Sequence, residues 1–183
     1  MTISCPRIFI NIHQEYMAKI DIREWTLKDK EALTTLCNAV DRRFLSDRMP
    51  FPYTEDDAVQ WLTMVQEKEG KDGVFRAIVE DGEIIGSVSV ERDSSLKSDG
   101  EIGYMLSKNY WNQGIATQVV ALICNTVFKE LSLQRIIGKV YEPNVASARV
   151  LEKNGFTRKS THPDAIFKNG MTYNILVYEL ATN

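Results

Sequence analysis

Cysteine and histidine are scarce in this 183-residue sequence. The three cysteines, Cys5, Cys37 and Cys124, are odd in number and widely spaced, with no C-x-x-C. A disulfide framework and a cysteine-based zinc site gain no support from them, and a reducing, cytoplasmic setting is expected. His13 and His162 are the only histidines. A metal site would rest on carboxylates alone, and none is expected. No apolar run approaches the roughly 20 residues of a bilayer span, so no membrane partner is expected. In Met1–Ile12 there is one early Arg7, but Asn11 cuts the apolar run short and no small-residue cleavage site follows. That stretch reads as mature chain rather than signal peptide. Charge of one sign is not in excess, since 22 Lys and Arg against 25 Asp and Glu leave −3. Bulk electrostatics therefore argue against a nucleic-acid partner, while a cationic substrate is compatible but not demanded. Low-complexity stretches, fixed-period repeats and flexible linkers are also lacking. Nothing marks a boundary, so residues 1–183 are expected to form a single domain, with 1–17 as an N-terminal extension.

What is present is an alternation of strand and helix patterns. Ala18–Trp25 alternates Ile20 and Ile22 with Asp21 and Arg23, as a strand does. Lys28–Leu45 carries Leu33, Leu36, Cys37, Val40 and Phe44 at helical spacing. Pro50 and Pro52 bar regular helix from Met49–Tyr53. Thr54 and Asp57 resemble a capping box, opening a second helix whose inner face is Ala58, Trp61, Leu62 and Val65. Val74–Glu80 and Glu83–Glu91 flank Asp81-Gly82, a strong hairpin signal. Arg92–Gly100 reads as loop and Glu101–Leu106 as strand. Lys108–Gly114 reads as turn and Ile115–Leu131 as helix, with Ile115, Val119, Leu122, Thr126 and Val127 inward. Arg135–Tyr141 is a strand, Pro143–Leu151 a helix stopped at Asn154-Gly155, and Phe156–Ser160 and Met171–Leu180 are closing strands. The order predicts an α/β fold: a mixed, mostly antiparallel twisted sheet of about seven strands with helices on both faces. The unit from Glu101 to Tyr141 must be a right-handed parallel crossover if both its strands share that sheet.

The chemistry concentrates between Glu101 and Phe156. After a strand ending near Leu106, Gln113-Gly114-Ile115-Ala116-Thr117 opens a helix. Free N–H groups and the positive dipole end there suit a phosphate or pyrophosphate. Gly114 and Ala116 let an anion approach; Gly114 is equally consistent with a plain turn. Neither a Walker A loop, nor G-x-G-x-x-G, nor a G-x-S-x-G elbow is present, so nucleoside triphosphate, dinucleotide and hydrolase-triad readings gain no support.

Four blocks taken in order, Ile102–Leu106, Tyr110–Thr117, Asn144–Ser147 and Val150–Phe156, closely resemble the GNAT superfamily of N-acetyltransferases. The turn resembles the family's acetyl-CoA pyrophosphate signature, and the last two blocks its N-x-x-S-x-x-V/L-x-E-K-x-G-F segment. Met49–Trp61 resembles the branch containing ribosomal-protein alanine and serine N-terminal acetyltransferases. The resemblance covers nearly the whole chain, and it implies the acyl-CoA N-acyltransferase fold with its two central strands splayed. It departs in two places: Trp111 stands where many members carry Arg or Gln, and Leu151 where many carry a catalytic Tyr.

The resemblance implies transfer of an acetyl group from acetyl-CoA to a primary amine by direct attack in a ternary complex, with no metal. Coenzyme contacts would come from Tyr104, Met105, Leu106, Trp111, Asn112, Gln113, Gly114, Ile115, Ala116, Thr117, Asn144, Ser147 and Lys153. Backbone N–H groups around Met105 and Leu106 would hold the developing oxyanion. Asn144 would meet the pantetheine amides, cap its helix, or do both. Glu101 is the first candidate base, with Glu142 behind it. Ser147 is the candidate acid at the departing sulfur. Arg135, Lys139, Arg149, Lys153, Arg158 and Lys159 make a basic stretch for the coenzyme 3′-phosphate, or a solvated face. Trp61, Tyr53, Phe51, Phe44 and Tyr16 are candidate walls of an acceptor pocket, or core. Cys124 reads as core packing, and His162, before Pro163, as loop. The acceptor is a protein N-terminal α-amine or a small amine such as a polyamine, amino sugar or drug. A non-catalytic acyl-CoA-binding module is the alternative of another class. A homodimer is a candidate assembly, through an exposed edge at Met171–Leu180.

Overall fold

Period-2 segments become strands and period-3.6 segments become helices in nearly the predicted order. The computed structural model describes residues 20–181. Its elements are β1 (Ile20–Glu24), α1 (Lys30–Ala39), α2 (Glu55–Lys68), β2 (Gly73–Glu80), β3 (Glu83–Arg92), β4 (Asp99–Leu106), α3 (Ile115–Glu130), β5 (Arg135–Tyr141), α4 (Val145–Lys153), β6 (Thr157–Lys168) and β7 (Met171–Ala181). The strands form one seven-stranded sheet in the order β1-β2-β3-β4-β5-β7-β6. Only the β4–β5 pair is parallel. The expected 1–17 extension, Cys5, His13 and Tyr16 lie outside the described residues.

Alternation along the strands sorts their side chains onto two faces. Val74, Ile78, Val88, Ile102, Ile136 and Val140 pack with Val119, Ile123 and Leu151 of α3 and α4. Phe75 and Ala77 pack with Leu33, Leu36, Leu62 and Val65 of α1 and α2. The sheet thus lies between two helical layers. Thr54 accepts from the Asp57 N–H, and Asp57 accepts from the Thr54 N–H, so the capping box forms. Asp81 and Gly82 take φ of 48° and 91°, the positive values a two-residue hairpin turn needs.

Several expectations need correction. The first helix stops at Ala39 rather than Leu45. Val40 is extended, and the Asp41 carboxylate accepts from the Arg43 N–H, a local bond that competes with continued helix. Val40 is buried, so its apolar character reflects packing rather than helix. Leu122 is exposed and Thr126 half-buried, while Val120, Ile123 and Cys124 turn inward. The loop between β3 and β4 is shorter than expected, because β3 runs to Arg92 and β4 starts at Asp99. The strand expected over Phe156–Ser160 runs on to Lys168 and contains His162 and Pro163. It is β6, not Met171–Leu180, that forms a sheet edge, since β7 lies between β5 and β6. Register shifts at Arg158/Ser160 and His162/Ile166 bend that edge.

Candidate active site

Parallel pairing of β4 with β5 is brief. It joins Asp99 to Arg135, Gly100 to Ile136, Glu101 to Ile137 and Ile102 to Gly138, and then stops. Beyond that point Gly103–Leu106 stay paired with β3, and Lys139–Tyr141 with β7. The two central strands therefore part into a V. Its closed end is pinned by the buried Asp99, which accepts from Arg135 Nη2 at 2.6 Å and Nε at 3.2 Å. Gly138 sits at the vertex; a Cβ there would stand 2.5 Å from Leu151 Cδ1, so glycine lets α4 approach β5.

The turn leading from β4 to α3 lies at the open end. The Trp111 indole N–H donates to the Leu106 carbonyl at 2.8 Å, clamping the turn onto the strand. Gln113 Nε2 donates back to the Asn109 carbonyl at 2.9 Å. Asn112 and Gly114 take φ of 60° and 80°. Gly114 occupies the cap position of α3 but offers it no side-chain cap, nothing lies within 4 Å of where its Cβ would be, and the first turn carries no acidic residue. The N–H groups that open a helix have no intrahelical partners, so this end offers donors toward open space. Ile115 is buried, whereas Ala116 and Thr117 are half-buried.

A second helix start faces the V. Asn144 Oδ1 accepts the Ser147 N–H at 3.2 Å, which caps α4 and leaves the amide NH2 for another partner. Ser147 Oγ lies 2.7 Å from the Tyr104 hydroxyl, which also reaches the Ser147 carbonyl at 3.2 Å. Burial pushes the Tyr104 phenol up to about 12, with the Ser147 bond opposing. Leu151 is fully buried against Gly138, so its position here serves packing.

Glu101 lies on the α1–α2 face of the sheet, at the vertex, with its Oε2 2.5 Å from Lys139 Nζ. Glu142 accepts from Asn174 Nδ2 at 2.9 Å. Of the basic stretch, Arg135 is at the closed end bound to Asp99, and Lys139 is held by Glu101. Arg149, Lys153, Arg158 and Lys159 are exposed. Among the aromatic candidates, Tyr53 is core, and Trp61 stacks edge-on to Trp25 and Phe75. Phe51 is exposed beneath the Arg42 guanidinium. Among the described candidates Phe44 alone reaches the V, where its ring meets Tyr141 and Tyr173 at 5.6 and 6.5 Å between centroids. These two tyrosines, themselves 5.5 Å apart, had no motif to mark them. Only the β5–β7 pairing brings them together. Tyr104 did carry a signal, since its alternation with Ile102 and Leu106 aims it at the α4 side. Cys124 and Cys37 are buried, which pushes both thiols up to about 12. A separate cleft of about 420 Å³ between α1 and the β2–β3 turn is lined by none of residues 113–117 or 144–147.

Residues 19–157 match the model of the acetyltransferase (GNAT) domain. The uncharacterized N-acetyltransferase YoaA of Bacillus subtilis is 30% identical over 66% of this chain and 67% of its own length. The ribosomal-protein-serine acetyltransferase of Escherichia coli is 29% identical over 70% of this chain and 72% of its own. The crystal structure of the microcin C7 self-immunity acetyltransferase MccE, in complex with acetyl-CoA and AMP, superposes with a TM-score of 0.77 at 21% identity, covering 89% of this chain and 92% of that one. A mixed sheet split between β4 and β5, an uncapped helix at the mouth of the split and a family match running through both are one set of facts, and the chain belongs to the GNAT family of N-acetyltransferases.

Proposed function

We propose that this protein transfers the acetyl group of acetyl-CoA to a primary amine in a ternary complex, and that the acceptor is a protein N-terminal α-amine. The observation that carries the reading is the end of β4–β5 pairing at Ile102/Gly138, next to the uncapped start of α3 at Gly114. In this reading the N–H groups of residues 114–117 bind the diphosphate. The pantetheine arm fills the V and bonds to the freed strand edges as an added strand would. The N–H groups around Met105 and Leu106 polarise the thioester carbonyl and receive its developing charge. Asn144 turns its free amide group to the pantetheine, and Ser147 meets the sulfur. Trp111 contributes by holding the turn to Leu106 rather than by a charge on the phosphates.

The acceptor enters from the α1–α2 face, past Phe44, Tyr141 and Tyr173. A nucleophilic amine must be neutral. With reference pKa near ~7.7–8.0, roughly a tenth of an α-amine is neutral at pH 7, against under about a thousandth of a lysine near ~10.4. One carboxylate therefore suffices as base. Glu101 stands at the vertex on that face for this role, with Lys139 Nζ 2.5 Å from its Oε2 orienting the carboxylate. The Escherichia coli relative, by its name, acts on ribosomal protein, which supports a protein terminus over a small amine.

Calorimetry with acetyl-CoA, followed by mass spectrometry of peptides with free or blocked N-termini, tests the proposal. The expected result is coenzyme binding and a single added acetyl group on free termini only. Acetylation of polyamines or amino sugars but not peptides would overturn the acceptor assignment. Binding without thiol release for any amine would overturn the catalytic one.

A further inference from the structure

We infer that Tyr104 is a positioning residue that turns the Ser147 hydroxyl toward the departing sulfur of the coenzyme. The inference rests on the acetyl-CoA reading above. Its basis is one contact between the two halves of the site. Tyr104 belongs to the part of β4 that has left β5, still paired to Val88 of β3, and its ring crosses to the start of α4. There its hydroxyl stands 2.7 Å from Ser147 Oγ and 3.2 Å from the Ser147 carbonyl oxygen. A phenol has one proton. If it goes to the carbonyl, Ser147 Oγ–H must point back to the tyrosine oxygen, and the serine has no donor to offer. If it goes to Oγ, at the shorter distance, the serine proton is released to point outward. Negative charge arriving at the sulfur favours the second arrangement, so the pair stabilises the transition state more than the ground state.

The chain donates charge-stabilising hydrogen bonds and keeps its protons. As the amine lone pair forms the C–N bond, the C–S bond breaks and its electron pair goes to sulfur. The surplus proton of the former amine leaves through the base and water, and the thiolate later takes a proton from solvent. A thiolate (the cysteine thiol has a reference pKa near ~8.5) is a weaker base than an alkoxide or the conjugate base of the Tyr104 phenol, pushed up to about 12, so it does not deprotonate either hydroxyl. Burial holds the Tyr104 phenol protonated through neutral and mildly alkaline pH. The tyrosine missing at position 151 is therefore not replaced by an acid. A different hydroxyl, from the strand rather than the helix, orders the serine.

The test is a double-mutant cycle of Tyr104→Phe and Ser147→Ala, with kcat, KM and acetyl-CoA affinity measured between pH 6 and 9. Tyr104→Phe is expected to lower kcat about 3- to 10-fold, the range of one ordinary hydrogen bond, with acetyl-CoA Kd moving less than kcat because the ring that would line the coenzyme is kept. The wild-type to Tyr104→Phe ratio is expected to stay constant with pH, and the loss to vanish in the Ser147→Ala background. Additive losses, an unchanged kcat, a loss confined to KM or a ratio that changes with pH would overturn the positioning role. Should Tyr104→Phe fail to fold, 3-fluorotyrosine at position 104 keeps the shape and sharpens the donor. Its kcat must then differ from wild type only while Ser147 is present, and no difference overturns the inference. Wild-type protein that neither binds acetyl-CoA nor releases thiol would overturn the functional reading and this inference together. Wild-type turnover with an additive cycle removes only this inference.

Discussion

Gly114 combines a φ of 80° with open space in front of it. An alanine there meets no atom, yet it holds a left-handed backbone at a cost of about 1 kcal/mol and sets a methyl group where, in the proposed site, the diphosphate would approach the N–H groups. Gly114→Ala is expected to weaken acetyl-CoA binding about tenfold by calorimetry, while the thermal midpoint falls only a few degrees. An unchanged Kd would mean that the diphosphate lies elsewhere. Asp29 makes a pH-dependent statement at the same scale. Two hydrogen bonds from Arg23, at 2.8 and 2.9 Å, hold its carboxyl below the usual carboxylate range, with Thr26 adding to this. A lowered folded pKa gives stability that is present above the unfolded pKa of ~3.9 and disappears as pH falls through the folded value. The advantage of wild type over Asp29→Asn in urea denaturation is therefore expected to be full at pH 7 and to shrink steadily as pH falls below the unfolded value of ~3.9. An equal gap across that range would show that the bonds do not depend on the charge. At this scale the sequence was informative where a residue type has one special use, as at Gly114, the Asp81-Gly82 turn and the Thr54–Asp57 box. It was silent on Tyr104–Ser147, because 43 residues separate the partners of that bond.

Helices and strands were legible wherever a face is buried, since burial writes the period into the chain. Periodicity misled at the end of α1, where Val40 carries the apolar stripe past the last helical turn and is buried for a different reason. It also missed most of β6, whose residues are nearly all exposed and so show no alternation. What no pattern announced is where β4 and β5 part. The parting begins beside Gly138, where α4 approaches so closely that a Cβ would stand 2.5 Å from Leu151 Cδ1. Gly138→Ala is expected to push Leu151 and the start of α4 away from the sheet, lowering stability by about 1–3 kcal/mol as overpacking does. Because Asn144 and Ser147 ride on that helix, kcat should fall at temperatures where the variant is still fully folded. Pairing the change with Leu151→Ala, which makes room, should restore part of the activity even though a cavity remains. No recovery would mean that α4 does not set the site through this contact.

At the scale of the molecule, the acceptor wall proposed above is assembled from three segments far apart in sequence: Phe44 before α2, Tyr141 at the end of β5 and Tyr173 on β7. The loop carrying Phe44 has no regular structure to fix it. Lys168, at the end of β6, is buried; its ammonium donates to the Leu45 carbonyl and lies 2.8 Å from Asp47 Oδ1. Asp47 is exposed, so water screens much of that pair, and the bond to the carbonyl carries more of the tie. One side chain thus fastens the β6–β7 hairpin to the loop, next to the ring of Phe44. Lys168→Met keeps the apolar stem and removes the ammonium, leaving the Leu45 carbonyl without its partner. The expected cost is about 1–2 kcal/mol of stability, together with a several-fold rise in KM for a peptide acceptor. Acetyl-CoA affinity should stay within about twofold of wild type, because the turn at residues 113–117 is held by Trp111 and not by this loop. Parallel weakening for both substrates would instead indicate a general loosening of the fold. An unchanged acceptor KM would place the amine's entry away from the wall formed by Phe44, Tyr141 and Tyr173.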